Sequence, residues 1–399
     1  MAFADDDLQI SIDGDFECGS AGLIRTVGAG IYEIDPKPEP VPDWFSTALD
    51  THFDGAGVPR EYAFNVRVLS RSSSSRTLLL RFPFTATSGR SYMDPPYWVL
   101  RRRWRPAAAA DTRFEPDCFG EVRLTLAPGE TVCVANKPYL SLREVEEDLA
   151  QLQGSGGFQV REIGRTAQDR PLLVLETVDQ GAETILISAT AQPAEPAARP
   201  VLAIAHWLLD GSALTARLRR RFRFCFLPMP NPDGCAAGLS VTNAAGEVPM
   251  FSYGRLLAGE PAPAETAAIW GYAEDLRPTA YVELHTHYQG TRAHKLNPMA
   301  LEWFPGEMHG RATAVEEALL RINADWRVTA IERSTPLSEC GLFASLSDRL
   351  GTLSYCYQVY AESEEATCAH AVTVASTLAR ALAGGDWEAR QPSPRITPG

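Results

Sequence analysis

Four short segments place polar, metal-competent side chains just beyond runs that read as buried strands. Gln192 and Glu195 follow residues 184–188, and Asn231-Pro232-Asp233-Gly234 follows residues 222–227. His285 and His287 close the run 280–284, and Glu362 comes after residues 353–359. Imidazole and carboxylate groups held near one point bind Zn²⁺ or move a proton. In open α/β sheets, ligand sites lie beyond the carboxyl ends of the strands. A lone histidine or glutamate there is ordinarily a satisfied core or surface residue. Convergence of several such segments on one rim makes a site the better reading.

Two textures of sequence must position these groups. Up to about residue 138, short alternating or β-branched runs recur between turn residues, at 23–27, 30–34, 62–69, 77–85, 97–102, 121–126 and 131–135. That spacing predicts a β-sandwich over residues 1–138. Over residues 139–388 strands alternate with helices, the latter expected near 198–210, 263–276, 316–324, 342–350 and 366–382. The alternation predicts an α/β fold with helices on both faces of its sheet. Residues 389–399 hold prolines and no apolar period, and are expected to form a disordered tail.

Composition limits what such a chain does. It has 399 residues, 45% of them hydrophobic, enough for two cores. Against 37 Lys plus Arg stand 50 Asp plus Glu, a formal charge of −13 that disfavours nucleic acid or an anionic membrane as partner. The basic run 219–223 reads as a solvated helix end leading into a strand. Eight cysteines without CxxC spacing are expected to be free thiols. No leader pattern opens the sequence, which points to a cytoplasmic protein.

Several motifs, in order and spacing, resemble the M14 zinc carboxypeptidases. The likeness is specifically to the cytosolic carboxypeptidase-like branch, in which a β-sandwich precedes the peptidase domain. The motifs are Pro138-Tyr139-Leu140-Ser141, the hairpin from Arg161-Glu162-Ile163-Gly164-Arg165 to Arg170-Pro171-Leu172, and Pro230-Asn231-Pro232-Asp233-Gly234. They continue through Glu260-Pro261 and Arg277-Pro278 to Val282-Glu283-Leu284-His285-Thr286-His287. The resemblance covers most of the chain and implies a carboxypeptidase-like α/β/α domain with a mixed sheet of about eight strands behind the sandwich.

The resemblance also implies a reaction. Two histidines and a glutamate hold zinc with one position open for water, and a glutamate on the last strand acts as general base. Glu195 matches the carboxylate ligand and His285 the second histidine. Glu362 is the best match to the base, ahead of Glu364 and Glu365. Gln192 stands in place of the first histidine, and its neutral amide is a poor substitute for imidazole toward zinc.

The substrate side departs as well. The implied carbonyl-polarising arginine falls on Val241, and the implied Asn-Arg pair that grips a terminal carboxylate falls on Met250 and Phe251. Arg255, Arg292 and Asn243 are the candidate substrate contacts, with Lys295 as a further cation. Two functions follow from these residues. One is a divergent metal-dependent hydrolase of an amide or peptide-like substrate. The other is a catalytically inactive carboxypeptidase homologue that binds a peptide or protein partner in the old cleft.

Overall fold

The computed structural model describes residues 2–52, 61–83, 97–115, 118–179, 181–287, 293–322, 327–328, 330–332, 340–360 and 363–384. Its amino-terminal half is built from two sheets. One runs, in spatial order, Ala2–Asp5 (β1), Ile10–Asp13 (β2), Asn65–Ser70 (β5), Thr131–Ala135 (β11), Trp98–Leu100 (β7) and Trp104–Pro106 (β8). The other runs Ile24–Gly28 (β3), Ile31–Ile34 (β4), Arg76–Pro83 (β6), Phe119–Leu126 (β10) and Thr112–Glu115 (β9). Period-two alternation explains the packing. Leu78, Leu80 and Phe82 of β6 and Val122, Leu124 and Leu126 of β10 are buried, and so are Val66, Val68, Val132 and Val134 from the facing sheet. The helix Asp43–His52 lies between β4 and β5. It is not expected from the sequence, where prolines at 36, 38, 40 and 42 mark the region as loop; Phe45 ties it into the core.

The carboxyl-terminal half carries an eight-stranded mixed sheet. Its order is Phe158–Arg165 (β12), Pro171–Thr177 (β13), Phe222–Leu227 (β15), Glu183–Ala189 (β14), Ala280–His287 (β16), Leu353–Tyr360 (β19), Lys295–Pro298 (β17) and Arg327–Val328 (β18). The centre, β15-β14-β16-β19, is parallel, and β12, β13 and β17 pair antiparallel to their inner neighbours. Central parallel strands are covered on both faces, so they read as near-continuous apolar runs. Phe222, Phe224, Cys225, Phe226 and Leu227 are all buried. Helices are begun by local signals: Ser141 and Glu144 form a capping box on Leu142–Gly154, and Ser363 caps Glu364–Ala383. The helix Gly306–Leu320 starts ten residues before the expected 316, because Gly306 and Gly310 weaken the helical signal of its first turns. Among the described residues no helix is long and apolar enough to cross a membrane, and the eight cysteines are free thiols.

The two halves meet along a polar seam. The buried carboxylate of Glu39 accepts hydrogen bonds from the backbone N–H groups of Ser240, Val241 and Thr242 and from the Thr242 hydroxyl at 2.7 Å. Beside it Gly238, at φ 62°, lies so close to Gly19 that a Cβ would stand 2.0 Å from the Gly19 carbonyl oxygen. A side chain at 238 is excluded by both conformation and contact.

Candidate functional site

Parallel pairing aligns the strand ends that carry the site. The Thr190 N–H donates to the Leu284 carbonyl at 2.9 Å, which extends the β14–β16 ladder one residue past β14. A turn then closes with the Glu195 N–H on the Gln192 carbonyl at 3.0 Å. Asn231 braces that turn, with Nδ2 donating to the carbonyls of Ala191 and Thr242 and Oδ1 accepting from the Gly234 N–H. Asp233 next to it is fully buried and holds the β12–β13 connection through Thr166, Gln168 and Arg170.

A hydrogen-bonded chain runs through this rim. Gln192 Nε2 donates to the Tyr62 hydroxyl at 3.1 Å, and Tyr62 donates to Glu195 Oε1 at 3.5 Å. Glu195 Oε2 lies 2.7 Å from His285 Nδ1, and His285 Nε2 lies 2.8 Å from Glu283 Oε1. Glu283 Oε2 accepts from Tyr281, whose hydroxyl also lies 2.7 Å from Ser188 Oγ. Burial alone would lower the pKa of His285. The Cys356 thiol and the carboxylates of Glu195 and Glu283 outweigh burial and raise it well above the ordinary histidine value. Lys137 adds a second cation: its buried Nζ donates to the Thr286 carbonyl at 2.9 Å. Burial lowers its pKa to about 8 against an upward pull from Glu195.

Gln192, Glu195 and His285 are therefore linked through one hydrogen-bonded chain. The other candidates are not joined to it. Asn243 ties its loop to the helix Ala264–Leu276, Nδ2 donating to the Glu265 carboxylate and Oδ1 accepting from the Ala245 and Glu247 N–H groups. Arg255 pairs with Glu260 at 3.2 Å and lies over the Trp44 ring, 5.1 Å from its centroid. Both make these contacts within the fold, apart from the Gln192–His285 chain. Arg292 and Glu362 lie outside the described residues, as does the tail 389–399. Val241 is buried in the sandwich core, Met250 Sδ takes the Thr190 hydroxyl at 3.6 Å, and Phe251 stacks on Phe45 at 5.6 Å.

Three participants are missed by sequence reasoning. Glu283 shares the face of His285 by the alternation Tyr281, Glu283, His285, a legible signal. Gln358 is the residue of β19 in register with His285. In-register neighbours in a sheet share a face, so an amide stands beside His285 on the strand where the resemblance implies a general base. Tyr62 comes from the sandwich, 130 residues from Gln192, and no local pattern announces it.

Zinc does not fit this donor set as the structure presents it. Among the described residues no group of three or more His, Cys, Asp or Glu side chains is arranged to hold a metal ion. Both His285 nitrogens face carboxylates, and Gln192 turns its amide nitrogen, which is no ligand, toward Tyr62.

Comparison with known proteins agrees with the architecture. The family model for the M14 peptidases, described as zinc carboxypeptidase, matches residues 146–248. The metallo-carboxypeptidase from Burkholderia cenocepacia superposes with a TM-score of 0.75 over 94% of this chain and 99% of its own, at 16% identity. The metallo-carboxypeptidase from Pseudomonas aeruginosa, in complex with (2-guanidinoethylmercapto)succinic acid, superposes at 0.73 over 92% and 98%, at 15% identity. None of the curated proteins matches the sequence. The fold is that of the metallo-carboxypeptidases, and the stretch that the M14 family model matches holds β12, β13, β14 and β15. At such identities the likeness carries the fold and leaves the chemistry to this chain's own residues.

Proposed function

We propose that this chain is a catalytically silent carboxypeptidase-fold protein that binds a peptide-like ligand in the cleft without hydrolysing it. The observation that carries this reading is the Gln192 amide, which stands where the resemblance implies the first histidine and is hydrogen-bonded to Tyr62 in the chain that reaches His285; a second amide, Gln358, is in register with His285. Neither amide accepts a proton at neutral pH, and neither matches imidazole as a zinc donor. Val241, Met250 and Phe251 add support, because their apolar side chains pack into the two cores and leave no guanidinium there for a terminal carboxylate. Losing one electrostatic donor to a developing oxyanion typically costs about 10²- to 10³-fold in turnover.

In this reading the residues bind and orient. Asn231 and Asp233 fix the cleft loops, and the apolar replacements favour a ligand whose end facing them is uncharged. The Pseudomonas aeruginosa protein of the same fold holds (2-guanidinoethylmercapto)succinic acid, and a peptide-like molecule is the corresponding expectation here. Retention of the Glu195–His285 pair favours a second reading, a divergent hydrolase whose metal is held weakly.

The test incubates the full-length protein with a peptide library, with and without added zinc. Released amino acids are followed by mass spectrometry, and retained peptides are recovered from immobilised protein. Retention without release is expected. Release of terminal residues would replace this reading with the hydrolase, and absence of both retention and release would overturn it.

A further inference from the structure

The polar rim joins the two halves of the chain as well as facing the cleft. Tyr62 belongs to the sandwich, yet its phenol is buried between Gln192 and Glu195, two of the three donor positions. Its backbone is pinned on both sides. The Tyr62 N–H donates to Ser240 Oγ at 2.9 Å, and its carbonyl accepts from Asn136 Nδ2 at 2.6 Å.

We propose that Tyr62, Gln192, Glu195 and His285 form a metal-excluding junction between the halves, with the Tyr62 phenol lodged between donor positions that a zinc ion would have to draw together. The hydrogen bonds run in one consistent sense. Gln192 donates to the Tyr62 oxygen, Tyr62 donates to Glu195, and His285 ties Glu195 to Glu283. The bonds to Glu195 and His285 use atoms that a bound ion would need, and the Gln192 bond turns the amide nitrogen, rather than its oxygen, into the site. Seating zinc requires breaking the Glu195–His285 contact, turning the Gln192 amide over and moving a buried phenol whose backbone is fixed. Satisfied buried networks resist such partial opening, because every group released is left unpaired in a poorly solvated site. Burial raises the Tyr62 pKa well above the ordinary tyrosine value, so the phenol stays a neutral hydrogen-bonding group. Lys137, buried nearby, sets a further cation against an incoming divalent ion.

This inference concerns the ion and does not depend on peptide binding. The experiment uses the full-length protein, Tyr62→Phe, Gln192→His and the double variant, each dialysed against chelator and titrated with zinc chloride. Metal content and melting temperature are the readouts. The wild type is expected to retain no stoichiometric zinc and to melt at the same temperature with or without chelator. Tyr62→Phe is expected to melt lower than wild type in the absence of metal. Gln192→His alone is expected to gain little, and the double variant at least about 10-fold in affinity over it, on the scale of a lost or gained partner at a metal site. One tightly held zinc per wild-type chain, or Gln192→His matching the double variant with Tyr62 intact, would overturn the proposal. The wild-type measurement decides the matter even where a variant fails to fold. A zinc-loaded wild type that still releases no amino acids would sink this inference and leave the binding function standing.

Discussion

Glu283 commits both carboxylate oxygens to buried donors, Oε1 to His285 and Oε2 to Tyr281. Replacing it by alanine strands an imidazole and a phenol together in a site that water reaches poorly. Removing one partner of a buried charged pair costs about 3 to 5 kcal/mol. Glu283→Ala is therefore expected to lose that much in urea unfolding, and Glu283→Gln, which keeps the shape and one acceptor, distinctly less. Equal losses for the two variants would mean that Glu283 contributes packing alone. The residue also illustrates which parts of the site can be read from sequence. Tyr281, Glu283 and His285 follow the period of a strand, so their shared face is visible once the strand is recognised. Tyr62 and Gln358 are not visible in this way. Each reaches the site through tertiary pairing, one from the other half of the chain and one through the register of β16 with β19.

At the scale of elements, the strand order of the large sheet brings β14, β16 and β19 side by side although long stretches of chain separate them. The apolar runs and the turn residues after them are enough to anticipate those strands. The helix Asp43–His52 and the early start of Gly306–Leu320 were hidden because prolines and glycines imitate loop where tertiary burial overrides local preference. The segment linking the halves holds Lys137, whose Nζ is bonded to the end of β16. Its pKa falls from an ordinary 10.5 to about 8, chiefly through burial, a difference of about 3 kcal/mol between the protonated and neutral forms. Because the folded value is depressed, the penalty is complete below about pH 8 and is relieved as pH rises toward 10.5. Wild type should therefore gain stability relative to Lys137→Met between pH 7.5 and about 10. A gap between the two that stays constant over this interval in denaturant unfolding would refute the assignment.

The whole molecule is held by its seam. Glu39 satisfies three successive backbone N–H groups and a hydroxyl of the opposite half, and each buried donor left unpaired costs about 1 to 3 kcal/mol. Glu39→Ala is expected to split thermal unfolding into two steps, one for each half, where the wild type shows one; a single unshifted transition by calorimetry would show that the halves are coupled elsewhere. The same contact has a consequence for the order of events during synthesis. Glu39 and Thr242 are separated by 203 positions, and at about 5 to 20 residues per second that interval lasts roughly 10 to 40 s. Once its last strand, Thr131–Ala135, has been made, the nascent sandwich presents the Glu39 carboxylate and the Tyr62 phenol on a surface whose partners have not yet been made. The ribosome-bound chain thus passes through a long-lived, half-finished state, and how well cells produce this protein will depend on what shields that surface until the second half arrives.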